Sequence, residues 1–285
     1  MKMSYRTHKT MPKIKHRPFL KWAGGKFRLT EHINSAFPAN KECLIEPFVG
    51  AGAVFLNSNF KRYILADINP DLINLFNIVK NDVEQYILDS KPLFKAENAN
   101  TSEYYYNKRG QFNCSKDPFE RAILFLYLNR YGFNGLCRYN RKNEFNVPFG
   151  AYKTHYFPED ELRYFSHKAQ SAVFFCRDFQ ETFKLAEKNT VIYCDPPYAP
   201  LSQGSNFTGY SGNQFDLADQ KALAELARLT HKERQISVLI SNHDTKFTRE
   251  IYKDAVLKTI KVQRSISQSP DKRIKVKELI AIFHG

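Results

Sequence analysis

Apolar residues along the chain fall into short runs separated by turns and by longer amphipathic stretches. Five runs of strand length end in turn-forming residues: 43–48, 62–68, 191–195, 237–242 and 277–283. Apolar residues at helical spacing occupy 53–57 and 217–232. A strand followed by a helix and another strand favours parallel pairing through a crossover connection. The pattern predicts an α/β fold with one sheet built from both ends of the chain.

The middle of the chain has a helical pattern. Residues 71–83 carry apolar side chains at helical spacing. Asp117 stands before Pro118 and three residues before Glu120, which is typical of a capping box with proline at the first helical position. The helix predicted there runs to about Tyr131 and is apolar on most faces, so we expect it to be buried. A basic and aromatic loop segment follows it.

These blocks divide the chain into a two-part α/β domain with a mainly helical insert. The first part covers residues 1–69, of which 1–17 are expected to form a flexible basic tail. The insert covers 70–158, and the second part covers 159–285. A tail that touches a polyanion is the alternative for 1–17.

The charge balance points to a polyanionic partner. Lys and Arg number 43 against 29 Asp and Glu, which gives a formal net charge of +14. No lipid motif supports a membrane surface, no apolar run approaches the ~20 residues of a membrane span, and the N-terminus lacks the apolar core of a secretory signal. The cysteines are scattered without a C-x-x-C pair, so we expect buried thiols in a reducing cytoplasm and no disulfide or metal site: Cys43, Cys114, Cys137, Cys176 and Cys194.

Two glycine-containing segments invite comparison with nucleotide-binding loops. The segment 24–26 fails as a phosphate-binding loop, because Leu20 and Phe27 stand where a glycine and a Ser or Thr are needed. The turn at 50–52 follows a predicted strand, but Phe55 replaces the third glycine of a dinucleotide motif. A plain structural turn is therefore one interpretation of this segment.

Asp67 favours a ligand site instead. It ends the next predicted strand, 15 residues after Gly52, and parallel strands end at the same rim of a sheet. Its carboxylate can accept hydrogen bonds from both hydroxyls of a ribose, while the two glycines let the backbone approach. A cap on the following Asn-Pro-Asp turn is the alternative role for Asp67.

The segment Asp195-Pro196-Pro197-Tyr198 follows a third predicted strand. Each proline fixes φ near −65° and lacks an N–H, so Asp195 and the Pro196 carbonyl are presented as rigid acceptors. Together they can accept both N–H groups of an exocyclic amine, and Tyr198 can stack on the base. A chance turn is the alternative for this segment alone.

An aromatic amine is a poor nucleophile, so the other reactant must carry an activated methyl group. S-adenosylmethionine has such a group on sulfur, and it contains the ribose that Asp67 can bind. Methyl transfer then needs positioning and electrostatics more than a protein nucleophile.

These motifs resemble those of the α-group DNA amino-methyltransferases, specifically the Dam-type adenine-N6 enzymes. The resemblance covers nearly the whole chain from Pro18 and is carried by five segments: 19–26, 46–52, 65–69, 129–140 and 195–198. It implies a Rossmann-like methyltransferase sheet with an inserted helical target-recognition domain. It further implies a monomeric cytoplasmic enzyme that flips adenine out of duplex GATC, with roles in replication timing and mismatch repair.

The resemblance assigns residues to each task. Catalysis falls to Asp195, Pro196 and Tyr198. Binding of S-adenosylmethionine falls to Trp22, Ala23, Lys26, Phe48, Gly50, Asp67 and Asp195. Contacts with DNA fall to Lys21, Arg130, Phe133, Asn134, Leu136, Arg138 and Asn140. Among these, Phe133 is expected to fill the gap left by the flipped base, and Arg138 to bind a guanine.

Leu136 is expected to touch a thymine methyl, and Lys21 to contact a guanine. Core packing for Phe133 and a phosphate contact for Arg138 are the alternatives. Arg130 is expected to contact the DNA backbone or to be a solvated charge. Family members often have tyrosine in place of Phe133 and arginine in place of Ala151, so one phosphate contact is expected to be absent.

Other features leave alternatives open. Lysines and arginines between 258 and 277 suggest either a solvated loop or a phosphate-binding lid, and residues 242–244 follow a strand and can line the pocket. The rival functions are methylation of another target, such as cytosine N4, an RNA base or a protein glutamine, and a non-catalytic DNA-binding module. Intact Asp67 and Asp195 argue against the latter.

Overall fold

Seven strands form one mixed sheet in the part of the chain that the computed structural model describes, residues 14–200, 215–263 and 275–284. They are β1 (Cys43–Glu46), β2 (Arg62–Asp67), β3 (Ala172–Cys176), β4 (Thr190–Cys194), β5 (Ser237–His243), β6 (Val256–Gln263) and β7 (Lys275–Phe283). Their order is β3-β2-β1-β4-β5-β7-β6. The first five are mutually parallel, and β7 is antiparallel to both β5 and β6. The predicted Rossmann-like α/β class is confirmed.

Ten α-helices accompany the sheet in these residues. They are α1 (Thr30–Asn34), α2 (Ala53–Asn57), α3 (Pro70–Asn81), α4 (Val83–Lys95), α5 (Ser102–Cys114), α6 (Pro118–Tyr131), α7 (Glu159–Ala169), α8 (Phe179–Phe183), α9 (Leu217–Arg234) and α10 (Lys246–Ile251). Helix α3 contacts β2 and β3, and α9 contacts β5 and β7. Helix α6 packs on α3, α4 and α5, and α4 also contacts α3. Helix α3 therefore links the sheet to the other helices of the insert.

The central strands explain the apolar runs. All residues of β1, β4 and β5 are buried, as expected for parallel strands covered on both faces. The strand order reverses between β1 and β4, and a ligand crevice in such sheets lies at the carboxyl ends of the strands at this point. Glu46 ends β1 and Asp195 follows β4, so both stand at the crevice.

The predicted long helix of the insert is confirmed as α6, with nine of its fourteen residues buried. The Asp117 carboxylate accepts hydrogen bonds from the N–H groups of Phe119 and Glu120 at 2.7 and 2.9 Å. Glu120 does not complete a capping box; its carboxylate accepts hydrogen bonds from Gln111 and Ser115 instead. The cap is therefore one-sided.

An ion pair joins two helices of the insert, α3 and α6. The Arg121 guanidinium donates Nε and Nη2 to the two carboxylate oxygens of Asp71, each at 2.9 Å. The Tyr139 hydroxyl donates to the same carboxylate at 2.7 Å. Asp71 thereby ties α3, α6 and the segment around Tyr139 together.

Some expectations need correction or lie beyond the described residues. All five thiols are free, but Cys114 and Cys176 are exposed rather than buried, since α5 and β3 are peripheral. Residues 1–13 of the tail expected at 1–17, and the basic residues Arg264, Lys272 and Arg273, lie outside the described residues. The expectation of a flexible tail is wrong at His16, whose ring stacks on Tyr164 at 3.5 Å and whose N–H donates to Asn57. Within those residues, no helix is long and apolar enough to cross a membrane.

Replacing Asp117 with Ala should lower the free energy of unfolding by about 1 kcal/mol, because two N–H groups at the start of α6 lose their acceptor. Asp117→Ser retains a capping oxygen and should stay within a few tenths of a kcal/mol of the parent. Chemical denaturation monitored by circular dichroism measures both variants. Equal losses in the two variants would contradict the capping role.

Candidate active site

Asp195 lies at the centre of the crevice beside one lysine. The Lys26 ammonium is 2.8 Å from Oδ1 of Asp195 and donates to the Gly24 carbonyl at 2.7 Å. The same ammonium is 4.5 Å from the centre of the Tyr198 ring, a cation–π distance. Burial raises the pKa of the Asp195 carboxyl, and the neighbouring Lys26 opposes this shift.

The backbone after Asp195 is anchored by β5 and α9. Gln220 of α9 donates to the Pro197 carbonyl at 2.7 Å, and its own side-chain oxygen accepts from Asn242 at 2.8 Å. The Asn242 oxygen accepts from the Ala199 N–H at 3.1 Å. Prolines and these hydrogen bonds together fix the segment that carries Asp195 and Tyr198.

Tyr198 is held at its hydroxyl and along its ring. The hydroxyl donates to Oε2 of Glu278 at 3.0 Å, and the His243 ring packs edge-on against the tyrosine at 4.8 Å. His243 Nδ1 donates to the Ala199 carbonyl at 2.6 Å, which fixes the imidazole. Residues 242 and 243 thus support the site from behind, whereas the sequence had suggested that they line the pocket.

Asp67 stands at the end of β2 with both carboxylate oxygens directed by the backbone. Oδ2 accepts from the Gly50 N–H at 3.1 Å and Oδ1 from the Asn69 N–H at 3.0 Å. Burial raises the pKa of Asp67, and these N–H donors oppose the shift. The cap on the turn, expected as an alternative, is made by Asn69, whose side chain accepts from the N–H groups of Asp71 and Leu72.

The glycine turn and the N-terminal segment meet beside Asp67. Gly50 has φ +48°, and a Cβ there would lie 2.9 Å from Nε1 of Trp22. Only glycine therefore leaves the Trp22 ring where it is. Phe48 stacks on Phe179, which begins α8, with ring centres 5.7 Å apart. Ala23 is half-buried next to Trp22.

Glu46 is a site residue that sequence reasoning did not single out. Its side chain is buried at the end of β1, and Oε1 has no hydrogen-bond partner. Burial raises the pKa of Glu46 well above its usual range, and the Asp195 charge adds to the shift. The signal was an acid inside an apolar run, Cys43–Glu46, and the same signal marks Glu278 in β7.

The segment that follows α6 folds back onto Lys21. Lys21 and Asn129 exchange two hydrogen bonds between the lysine backbone and the amide side chain, at 2.8 and 2.7 Å. Gly135 has φ +61°, and a Cβ there would lie 2.4 Å from Cβ of Lys21. Lys21 itself donates to the Arg130 carbonyl at 2.7 Å and lies over the Tyr152 ring at 3.8 Å.

The residues expected to contact DNA differ in their exposure. Phe133 and Asn134 are exposed, and Leu136 is half-buried against the core. Arg138 donates Nε and Nη2 to the side chain and carbonyl of Asn146 at 2.7 and 3.1 Å. Asn140 accepts from the N–H groups of two residues of the following turn. Two antiparallel bridges, Gly132–Phe149 and Tyr139–Phe145, show that the segment is a hairpin.

The expectation that Arg130 is a solvated charge is wrong. Its side chain is buried, and its guanidinium lies 4.4 Å from the centre of the Tyr156 ring. Nη1 reaches the Phe19 carbonyl at 3.5 Å. The C-terminal turn of α6 points inward, so Arg130 packs between the N-terminal segment and the insert.

The seven-strand mixed sheet agrees with a Rossmann-like methyltransferase fold. A family model described as D12 class N6 adenine-specific DNA methyltransferase matches residues 22–266. The chain therefore belongs to the D12 class of N6 adenine-specific DNA methyltransferases and is a methyltransferase enzyme, as predicted.

Proteins named DNA adenine methylase are similar to this chain over nearly their full length. The chain is 77% identical over 272 residues to the DNA adenine methylase of Haemophilus influenzae, with 95% of each chain covered. It is 57% identical to the DNA adenine methylase of Vibrio cholerae serotype O1 and 56% identical to that of Escherichia coli (strain K12). The Vibrio and Escherichia matches each cover 94% of this chain and 96% of the relative.

Donor binding should weaken as the pH falls, because Asp67 must be ionised to accept two hydrogen bonds and burial raises its pKa. Affinity is complete above the raised pKa and is lost as the pH falls through it. Calorimetric titration with S-adenosylmethionine at a series of pH values measures this. Asp67→Asn should bind roughly 10- to 100-fold more weakly at neutral pH and respond less to acid. An identical pH response in parent and variant would remove Asp67 from the site.

Proposed function

We propose that this enzyme transfers a methyl group from S-adenosylmethionine to N6 of adenine in double-stranded GATC, after flipping the adenine out of the duplex. The observation that carries the proposal is the position of Asp195 beside Tyr198, on the same rim of the sheet as Asp67. An acceptor for the amine, a ring for stacking and an acceptor for ribose then face one crevice. The names of the relatives, DNA adenine methylase, agree with this target.

The residues around Asp67 suit a nucleoside donor. Each of its carboxylate oxygens accepts one N–H and retains capacity for a ribose hydroxyl. The donor would be held by Trp22, Ala23, Lys26, Phe48, Gly50, Asp67 and Asp195. When bound, S-adenosylmethionine supplies a methyl group on a positively charged sulfur, activated for direct displacement.

Asp195 would act on the target amine. Its carboxylate and the Pro196 carbonyl accept the two N–H groups of the adenine, and acceptors placed off the ring plane favour a pyramidal nitrogen with an available lone pair. Positive charge develops on this nitrogen, and the Asp195 carboxylate stabilises it. Lys26, which occupies the carboxylate in this structure, must move aside for the amine.

Tyr198 would stack on the flipped base. Its ring face is covered by the Lys26 ammonium at 4.5 Å, so the same displacement of Lys26 opens both the carboxylate and the ring. A flipped base costs a few kcal/mol of unstacking, which stacking and hydrogen bonds in the pocket offset in part.

The hairpin would read the duplex. Exposed Phe133 is available to fill the gap left by the adenine, and Leu136 to contact a thymine methyl. Arg138 would exchange its two hydrogen bonds with Asn146 for O6 and N7 of guanine. Asn134 and Asn140 remain proposed DNA contacts, while the burial of Arg130 favours support of the hairpin over contact with phosphate.

The family resemblance also suggests an oligomeric state, a location and cellular roles. We expect a cytoplasmic monomer, either associated with the bacterial nucleoid or encoded by a phage, with roles in replication timing and mismatch repair. Methylation of cytosine N4, an RNA base or a protein glutamine is the alternative activity, and the hairpin beside Lys21 favours duplex DNA over these.

The purified protein should place N6-methyladenine in GATC when it is incubated with unmethylated genomic DNA and S-adenosylmethionine. Asp195→Ala should slow single-turnover methylation roughly a hundredfold or more, because the developing charge loses its carboxylate. Asp160→Ala, at an exposed aspartate of α7, is the matched control and should equal the parent. Base-resolved sequencing of the treated DNA measures site and extent together.

Methylation of cytosine, of RNA, or of adenine irrespective of sequence would contradict the proposed substrate. Full activity in Asp195→Ala would contradict the proposed site.

Lys21 should make DNA binding sensitive to alkaline pH. Burial and the nearby Arg130 lower the pKa of the Lys21 ammonium to about 8. Raising the pH through this value removes the charge proposed to contact guanine, so GATC affinity should fall between about pH 7 and about pH 9. Lys21→Arg stays charged and should show a flatter profile. Fluorescence anisotropy measures the affinity at each pH. The same decline in the parent and in Lys21→Arg would contradict the role of Lys21.

A further inference from the structure

Glu278 is a buried carboxylate in a strand that is otherwise apolar on this side of the sheet. The residues after it in β7 are buried Leu, Ile and Ala side chains, and Glu278 is itself only 6% exposed. A buried carboxylate is costly unless it is hydrogen-bonded or paired. The Tyr198 hydroxyl, a group of the proposed methyl-transfer site, donates a hydrogen bond to Oε2 of Glu278 at 3.0 Å.

Sheet topology explains how residue 278 reaches that site. Strand β7 is antiparallel to β5, so its first residues lie at the rim where the parallel strands end. Glu278 pairs with His243, the last residue of β5. The rim therefore receives a carboxylate from a strand that runs in the opposite direction to β4.

Besides the Lys26 ammonium over its face, the Tyr198 ring is restrained at its hydroxyl and by a neighbouring ring. The hydroxyl is bonded to Glu278, and the His243 ring meets the tyrosine at an interplanar angle of 80°. The His243 ring is fixed in turn by the Ala199 carbonyl. Prolines restrain the backbone before Tyr198, but χ1 and χ2 of a tyrosine are restrained only by such contacts.

We infer that Glu278 is a positioning residue for methyl transfer: it holds the Tyr198 ring in the orientation in which the flipped base stacks. The inference rests on the proposed function of the site, because it assigns a partner to Tyr198. Glu278 acts through a hydrogen bond that it accepts, and it does not touch the base. A neutral acceptor of the same shape should therefore replace it.

Two variants of similar volume distinguish the loss of the hydrogen-bond acceptor at position 278 from a change in packing. Glu278→Gln keeps an oxygen that accepts the hydroxyl, whereas Glu278→Met removes it. Glu278→Met should lower the single-turnover methylation rate roughly 10- to 100-fold, the loss expected for a hydrogen bond to a charged group. Glu278→Gln should stay within about threefold of the parent.

A measurement of the position of the target base distinguishes a role in orienting Tyr198 from a general loss of stability. A duplex with 2-aminopurine at the target adenine brightens when the base leaves the stack, and its quenching by an aromatic ring reports stacking in the pocket. Glu278→Met should alter this signal while the affinity for S-adenosylmethionine and the melting temperature stay near the parent. An unchanged fluorescence signal, or equal rates in Met and Gln variants, would overturn the inference.

Tyr198→Phe completes a double-mutant cycle. Once the hydroxyl is absent, adding Glu278→Met should cost no more than about threefold, because the interaction has already been removed. Independent, additive losses would overturn the role of Glu278. If Tyr198→Ala leaves both methylation and the fluorescence signal unchanged, the proposed role of Tyr198 fails instead, so the two failures are distinguishable.

Discussion

The half-buried carboxylate of Asp195, with its Oδ1 shielded from solvent, is the constraint on which the proposed active site depends. A carboxylate in this position needs a partner, and without DNA the Lys26 ammonium supplies one at 2.8 Å. In the proposed reaction the exocyclic amine of the adenine takes over that role, so methyl transfer would require an exchange of partners at the Asp195 carboxylate. The prolines and the Gln220–Asn242 pair would hold the acceptor in place during the exchange. Under this proposal the fold contributes the rigid presentation of Asp195 and not a protein nucleophile.

The same fold brings the donor side and the DNA side into contact. Asn69 donates its backbone N–H to Asp67, caps α3 with its side-chain oxygen, and donates its side-chain amide to the Cys137 sulfur at 3.1 Å. Cys137 belongs to the hairpin, and Asp71 holds Tyr139 of that hairpin. If the hairpin shifts when DNA binds, these contacts would transmit the displacement to the end of β2, next to the proposed donor site.

Strongly periodic segments were predictable from sequence, and segments shaped by tertiary contacts were not. Strands β1, β4 and β5 are apolar runs between turns, and α6 has both a cap and a buried pattern. Strand β6 interrupts its apolar residues with lysines at uneven spacing and was not predicted. Strand β3, an apolar run as long as β4, was overlooked. The acids Asp67 and Asp195 were found because they follow strands. Glu278 was missed, since only the antiparallel course of β7 brings it to Tyr198. The solvated-charge alternative for Arg130 was wrong because charge does not reveal burial.

The most direct test is a crystal structure of the protein with a GATC duplex and S-adenosylhomocysteine. The account predicts an extruded adenine whose N6 lies within hydrogen-bond distance of Asp195, with the base stacked on Tyr198 and the Lys26 ammonium withdrawn from the carboxylate. An extruded adenine with N6 directed away from Asp195, while Lys26 keeps its place on that carboxylate, would contradict it.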